Sequence, residues 1–364
     1  MAEVTTAMVK ELRERTGAGI LACKNALVDN DGDMDKAIDA LRERGEAQAV
    51  KKAGRIAAEG IVMVEVKDDK DAAMVEVNSE TDFVAKNEKF QTFVKQVVDQ
   101  VFNSDSVDVD ELKKEQWIAD PSKTVAEELT SQIATIGENL TLRRFCRIKS
   151  NNLVVSYIHG GGRIGVLVEA EAANNDANKE ALKNVAMQVA AMNPQYISKD
   201  DMSEDELAKL RHITIDSALN TPDTLPVPIL KNLLSQAVEQ NVWSEADNAQ
   251  YEEQKNNLKY LFNFLSAEAK TEVAKLAMKA KEEIAENKIF GGLVDGRISK
   301  QLKDICLMEQ VYVKAEDGKQ TVGQYLASVD KELKITNVVR FEVGEGIEKK
   351  QENFAEEVAK QMNV

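Results

Sequence analysis

A phenylalanine beside a carboxylate is the most informative feature of the sequence. Asp82 and Phe83 follow a strand-like run, residues 74–78, and a helical pattern begins just after them. One interpretation places Phe83 in the core, because large apolar side chains are usually buried. The other leaves it exposed at the corner between two regular elements, where it would act as a wedge against a partner protein. The local pattern alone favours the core interpretation.

Residues that could support catalysis or hold a cofactor do not form a recognised arrangement. Residues 160–165 satisfy the pattern G-x-G-x-x-G, but a dinucleotide site needs a helix directly after the glycines. Residues 166–169 continue as a strand, so we interpret the glycines as a hairpin turn. His159 and His212 fall in different predicted elements, without a Ser-His-Asp or Cys-His signature around them. We therefore predict no cofactor and no dedicated metal site.

The composition limits the kinds of partner. A net charge of −16 argues against non-specific binding to nucleic acid, which depends on Lys and Arg neutralising phosphates. The chain has no apolar run long enough to span a bilayer, and its N-terminus lacks the pattern of a signal peptide. Cys23, Cys146 and Cys306 are isolated thiols, which fits a reducing compartment. We expect a cytoplasmic protein that binds neither nucleic acid directly nor membranes.

Short helices dominate residues 1–54. Val4, Met8 and Leu12 recur at helical spacing, and Gly17–Gly19 interrupts the pattern before two further helical segments. Three short helices with a glycine turn after the first resemble the ubiquitin-associated fold.

A strand–turn–strand–helix pattern then occurs twice, which predicts an α+β protein with two related core subdomains. The four predicted strands cover residues 60–66, 72–78, 153–159 and 164–170. The predicted helix after the first pair carries Phe90, Phe93, Val97 and Val101 on one face, and the helix after the second pair carries Leu182, Val185, Val189 and Met192.

Prolines at positions 222, 226 and 228 mark a break, and a long helix-rich segment follows. Leu258, Leu261 and Leu265 give it partial heptad character, which predicts a protruding antiparallel coiled-coil hairpin. We interpret this segment as a solvated helical arm without a separate activity.

The sequence as a whole is predicted to divide into six parts. They are a ubiquitin-associated-like module (1–54), a first core subdomain (55–140), the start of a second (141–205), a helical arm with an insertion (206–300), the return of the second core subdomain (301–349) and a C-terminal helix (350–364).

Five separated segments, in order, resemble the bacterial elongation factor Ts family. They are Val9–Gly19, Thr81–Asn87, Ile136–Leu140, Gly162–Val166 and Arg340–Lys349. The resemblance runs from about Val4 to Phe354 and is interrupted around residues 220–287. It implies a guanine-nucleotide exchange factor that binds GDP-bound and nucleotide-free elongation factor Tu and supports translation elongation. Such a factor performs no covalent chemistry, so the resemblance also implies a protein that is not an enzyme and has no catalytic residues.

The resemblance also implies roles for Thr81, Asp82, Phe83 and Val84. In proteins similar to this one, that segment enters Tu and dislodges Mg²⁺ from the nucleotide site. Phe83 would fill an apolar pocket between helices of Tu, and Asp82 would form hydrogen bonds at its rim without holding the ion. Thr81 and Val84 would fix the orientation of the wedge.

Further contacts with Tu follow from the same resemblance. Arg13, Ile20 and Leu21 match the family's N-terminal contact surface, although Ile20 and Leu21 stand where relatives carry two methionines. His159 matches a position that faces domain 3 of Tu, and it is equally typical of a polar residue at the end of a hairpin. Some relatives form a dimer of heterodimers with Tu, so a one-to-one complex is not assumed.

Two other functions compete with nucleotide exchange. A non-catalytic adaptor built on the ubiquitin-associated-like module would explain residues 1–54 but not Thr81–Asn87 or the segment near Arg340. An enzyme that uses the glycine turn for a cofactor would conflict with the strand that follows it.

Overall fold

A computed structural model describes residues 4–348 of the chain. It contains helices and two three-stranded antiparallel sheets, which confirms the predicted α+β class. The predicted C-terminal helix, residues 350–364, lies outside the described residues. One compact unit contains the chain up to Asn193 together with the residues from Leu326 onward, and the other spans Pro194–Tyr325.

Three helices open the first unit: α1 (Thr6–Thr16), α2 (Ile20–Asp29) and α3 (Met34–Lys52). They enclose a small apolar core in which Leu12, Cys23 and Leu27 have no exposed surface. Helix α1 ends at Gly17 in the left-handed region, with a φ of 69°, and the Gly17 N–H donates to the carbonyl of Arg13. This conformation favours glycine because other residues carry a Cβ that clashes there.

The first sheet has the order β1-β2-β3. Its strands are β1 (Glu59–Lys67), β2 (Asp71–Ser79) and β3 (Thr141–Lys149), and the helices between the last two are α4 (Asp82–Ala85), α5 (Glu88–Asn103), α6 (Val109–Leu112) and α7 (Val125–Ile136). The predicted face of α5 is buried in the core that this sheet forms with α5 and α7.

Strand β3 was not anticipated from the sequence. It pairs with β2, so residues 141–149 complete the first sheet, whereas the predicted boundary at 140/141 assigned them to the second half. The polar run Arg143-Arg144 obscured the strand. Both arginines donate to the buried Glu76 on β2.

The second sheet has the order β4-β5-β6. Its strands are β4 (Leu153–His159), β5 (Ile164–Glu171) and β6 (Lys334–Glu342), and helix α8 (Asp176–Met192) follows β5. On the predicted face of α8, Leu182, Val185 and Val189 are buried, while Met192 at its end is 47% exposed. The four predicted strands are confirmed, with ends that differ by one residue or less.

Two glycines of the β4–β5 hairpin, Gly162 in the turn and Gly165 on β5, allow the two sheets to approach each other. A Cβ at Gly162, whose φ is 99°, would lie 2.3 Å from Cγ1 of Ile61. A Cβ at Gly165 would lie 2.4 Å from Cγ1 of Val62, and the Val62 N–H donates to the Gly162 carbonyl over 2.7 Å. The glycine segment is thus a hairpin turn, as predicted, and its missing side chains make room for strand β1.

A buried carboxylate connects both sheets to the segment after β6. Glu76 on β2 has no exposed surface, and its Oε1 accepts hydrogen bonds from Arg143 Nη1 and the Gly344 N–H, each at 2.9 Å. Its Oε2 accepts from Arg144 Nε at 2.5 Å. The Arg144 guanidinium also lies 4.4 Å from the ring centre of Phe341 on β6. The Asn78 side-chain amide is a further donor to Oε1, at 3.2 Å. Two guanidinium groups, a backbone amide and a side-chain amide together satisfy the buried carboxylate.

The second unit is helical. Its helices are α9 (Glu204–Asn220), α10 (Val227–Glu239), α11 (Glu245–Gln254), α12 (Leu258–Leu261), α13 (Ala267–Lys279), α14 (Lys281–Ala285) and α15 (Lys288–Ile305), and α16 (Val322–Val329) begins at its end. Short 3-10 helices cover Lys199–Asp201, Pro222–Thr224 and Leu307–Glu309.

This unit is more compact than the predicted two-helix hairpin. Helix α9 packs against α15, but α10–α14 form a common core with them, in which Leu230, Leu261 and Val273 are fully buried. The leucines at 258, 261 and 265 therefore point into a globular cluster and not along a coiled-coil seam. Short helices and intervening turns explain why the heptad pattern was only partial.

Replacing Gly165 by alanine tests the close approach of the sheets. The new methyl group would overlap Val62 and the sulfur of Met74, so we expect the free energy of unfolding to fall by about 1–3 kcal/mol in urea titrations. Gly54→Ala is the control, because the space around its Cβ position is open; we expect a change within about 0.5 kcal/mol. Equal stability of the two variants would contradict the tight packing.

Replacing Glu76 by alanine tests the buried carboxylate. The change removes the buried carboxylate that pairs with Arg143 and Arg144 and accepts from the Gly344 N–H. We expect a loss of about 3 kcal/mol in the same measurement, because the two partly buried charges lose a close partner. The control is Glu65→Ala on β1, whose carboxylate is partly exposed and lies 3.7 Å from Lys67, with an expected loss below about 1 kcal/mol. A similar loss in both variants would show that Glu76 has no special structural role.

Candidate partner-binding site

The segment Thr81–Asn87, here called the Phe83 turn, contains the single-turn helix α4 between β2 and α5. The Phe83 side chain is 79% exposed, whereas its neighbour Val84 is 9% exposed and belongs to the core beneath α5. The core interpretation of Phe83 is therefore wrong. Successive residues of a helix point about 100° apart. Only one of the two can face the core in so short an element, and that residue is Val84.

Asp82 is held by a local ion pair. Its Oδ2 lies 2.7 Å from Nζ of Lys86, one helical turn later, and both side chains are largely exposed. The hydrogen bond from Lys86 lowers the pKa of Asp82 below its ordinary value. The carboxylate beside Phe83 is therefore charged at neutral pH.

The base of the turn is attached to the segment after α7. Glu138 accepts two hydrogen bonds from Thr81, one from Oγ1 at 2.6 Å and one from the backbone N–H at 3.0 Å. Glu80 accepts from the Asn139 N–H at 2.6 Å and from Arg55 Nη1 at 3.4 Å. The Asn139 side chain donates to the Arg55 carbonyl at 2.8 Å. Three separate segments of the chain therefore meet beneath the turn.

Sequence reasoning did not assign a role to Glu138 or Asn139. Both residues follow Gly137 directly and lie within Ile136–Leu140, one of the five segments that resemble the family. Gly137 ends α7 in the left-handed region with a φ of 90°, and such a glycine marks the point where a chain leaves a helix. The contact partners lie 57 and 59 residues earlier, so local patterns do not reveal the pairing.

The predicted N-terminal contact residues are exposed. Ile20 and Leu21 open helix α2 and are 60% and 70% exposed, which is high for adjacent aliphatic side chains. Arg13 is exposed on α1, next to the fully buried Leu12. Apolar pairs of this kind, with a basic residue on the neighbouring helix, are typical of protein-binding surfaces.

His159 ends strand β4 and is exposed. Its Nδ1 lies 3.1 Å from the Tyr157 hydroxyl on the same strand. This arrangement suits a contact residue and equally a polar residue at a hairpin end, so its role stays a prediction.

The cysteines are free thiols in protected positions. Cys23 and Cys306 are buried, and Cys146 is partly buried. Burial raises the pKa of Cys146 and raises that of Cys306 to about 11, so both stay protonated at neutral pH. Protonated, protected thiols are poor nucleophiles.

Residues 4–348 contain no group of three or more His, Cys, Asp or Glu side chains placed to hold a metal ion. Within the same described range, no helix has the length and apolar character needed to cross a membrane.

Comparisons with known proteins identify the family of the chain. The family model described as Elongation factor TS matches residues 80–345, starting just before the Phe83 turn. The protein named Elongation factor Ts from Clostridioides difficile strain 630 is 42% identical over 366 residues, covering all of both chains. Its namesakes from Clostridium kluyveri strain ATCC 8527 and Halothermothrix orenii are 43% and 40% identical, over 99% and 98% of this chain and 99% and 97% of their own. A match of this extent shows that the chain belongs to the elongation factor Ts family of translation elongation factors.

Proposed function

We propose that the chain is a guanine-nucleotide exchange factor that binds elongation factor Tu and accelerates GDP release. The observation that carries the proposal is the exposed Phe83, presented on an anchored turn in a chain of this family. Moving an exposed phenylalanine side chain from water into an apolar pocket lowers the free energy of the system. The turn is already formed in the free chain, so little ordering opposes that gain.

Exchange of this kind needs no covalent step. A factor that binds nucleotide-free Tu more tightly than GDP-bound Tu must weaken GDP binding by the same factor, because the two affinities are thermodynamically linked. GDP is held largely through its phosphates and the associated Mg²⁺. In the proposed mechanism Phe83 enters a pocket of Tu and displaces the elements that hold the ion.

The neighbours of Phe83 have supporting roles in this mechanism. Val84 is anchored in the core, and Thr81 is bound to Glu138, so both restrict the direction of the wedge. Asp82 remains charged and partly exposed, which suits hydrogen bonds at the rim of the pocket. We do not assign it to the Mg²⁺ ion, because the proposed action is to release that ion.

A second surface would keep Tu bound while the nucleotide leaves. Ile20 and Leu21 supply apolar area, Arg13 supplies charge, and His159 is a further proposed contact. We place the complex in the cytoplasm, since three free thiols fit a reducing compartment. Its stoichiometry is either one-to-one or a dimer of heterodimers.

The adaptor alternative would use the N-terminal helices alone. It gives no reason for an anchored turn that presents Phe83 to solvent.

Phe83→Ala is the main test of the wedge. We expect the variant to fold normally and to release fluorescent GDP from Tu roughly 30-fold or more slowly than wild type, because a central aromatic anchor commonly contributes about 2–4 kcal/mol. Stopped-flow fluorescence at saturating factor measures the rate. Phe264→Ala, which removes an exposed phenylalanine from the helical unit, is the matched control and should keep the wild-type rate. Wild-type exchange by Phe83→Ala would show that the wedge is wrongly assigned.

A double change, Ile20→Ser with Leu21→Ser, tests the N-terminal surface. We expect about tenfold weaker binding of Tu by isothermal titration calorimetry, with the exchange rate at saturation largely kept, because this surface contributes to binding before and after GDP release. Val28→Ser, at an exposed valine near the other end of α2, is the control. Unchanged affinity in the double variant would remove these residues from the interface.

A further inference from the structure

We propose that Glu138 is a positioning residue for nucleotide exchange, acting through Thr81 to set the direction of Phe83. The inference rests on the proposed function and adds a residue that does not itself need to touch Tu. It starts from the two hydrogen bonds that Glu138 accepts from one residue, Thr81.

The turn cannot define its own geometry. Helix α4 has four residues, and a helix of that length is not stable without external contacts. Thr81 occupies its N-cap position, but the Thr81 side chain forms no capping hydrogen bond with the helix. The hydroxyl instead donates to Glu138 at 2.6 Å. The first residue of the turn is therefore fixed from outside the turn.

Glu138 is itself held in place by the residues on both sides of it. Gly137 closes helix α7 with an N–H that donates to the Ile133 carbonyl at 3.0 Å. Asn139 is bound to Glu80 and Arg55, and Leu140 is 3% exposed in the core. The carboxylate is thus attached to a rigid helix end, and it transmits that rigidity to Thr81.

The opposite end of the turn has its own anchors. Val84 is packed in the core. Asn87 caps the start of α5, where its side chain accepts a hydrogen bond from the Lys89 N–H at 2.9 Å. The Phe83 side chain lies between these anchors and is largely surrounded by solvent. Its direction is therefore set by the backbone on either side, and the Glu138 contact defines one of the two sides.

Glu138→Ala should lower the GDP release rate at saturating factor on the order of tenfold while the half-saturating concentration changes little. The reason is that a misdirected wedge loses contacts made only as the nucleotide site opens, whereas the N-terminal surface still binds Tu. Partial unfolding would instead reduce the active fraction and raise the apparent half-saturating concentration. Glu138→Gln keeps one acceptor oxygen and should recover part of the rate.

A double variant shows whether Glu138 acts through Phe83. If it does, adding Glu138→Ala to Phe83→Ala lowers the rate little further, because the wedge is already absent. Thr81→Val removes the hydroxyl donor and keeps the backbone hydrogen bond. It should give a smaller loss than Glu138→Ala, and it tests the contact even if Glu138→Ala fails to fold.

Glu206→Ala is a closely matched control. Glu206 accepts hydrogen bonds from the backbone N–H and the hydroxyl of Ser203, each at 2.8 Å, so it forms the same pair of bonds at another helix start. We expect it to exchange GDP at the wild-type rate.

The outcomes separate this inference from the proposed function. A slow Phe83→Ala together with a wild-type rate for Glu138→Ala and Thr81→Val would overturn the positioning role and leave the exchange function standing. Fully additive losses in the double variant would also overturn it, since Glu138 would then act independently of the wedge. If the wild-type chain itself failed to accelerate GDP release, both proposals would fall.

Discussion

Glu76 is a carboxylate without access to water, and such a group is stable only when its hydrogen-bonding capacity is filled. Two arginines of β3, the Asn78 side chain and the Gly344 N–H fill it. The arginines and Gly344 are far from Glu76 in sequence, so the ion cluster forms only when both sheets and the segment after β6 are in place. Because breaking a buried ion pair is costly, it favours one arrangement of these elements.

The Phe83 turn depends on that arrangement. Strand β2 runs from Glu76 directly towards Thr81, and the segment after α7 supplies Glu138 to hold the turn. Strand β2 on one side and the end of α7 on the other hold the turn, so Phe83 is presented to solvent without a flexible loop. A site on rigid elements keeps its geometry better than one on a mobile loop. This suits a wedge whose effect depends on direction.

Much of this architecture was predictable from the sequence, and the exceptions have physical causes. The strands around residues 60–78 and 153–170 follow from paired strand-like runs joined by turns, and α5 follows from helical spacing. Strand β3 was missed because Arg143 and Arg144 look solvated until the buried Glu76 is known. The local pattern placed Phe83 in the core, since only three-dimensional packing shows that Val84 occupies that position. The resemblance to the family, and not periodicity, pointed to an exposed wedge. The hydrogen bonds between Glu138 and Thr81 join residues 57 positions apart, so the sequence around either residue does not predict them.

An aromatic side chain that stands in water is also a point at which copies of the chain can adhere to one another. The sequence carries a net charge of −16, so two copies repel each other over distances of about 8 Å at physiological ionic strength. That repulsion opposes self-association through Phe83 without covering it. Higher salt weakens the repulsion and strengthens apolar contacts, so it favours self-association of the free protein. The exposure that lets Phe83 bind a partner therefore lowers the resistance of the free protein to aggregation.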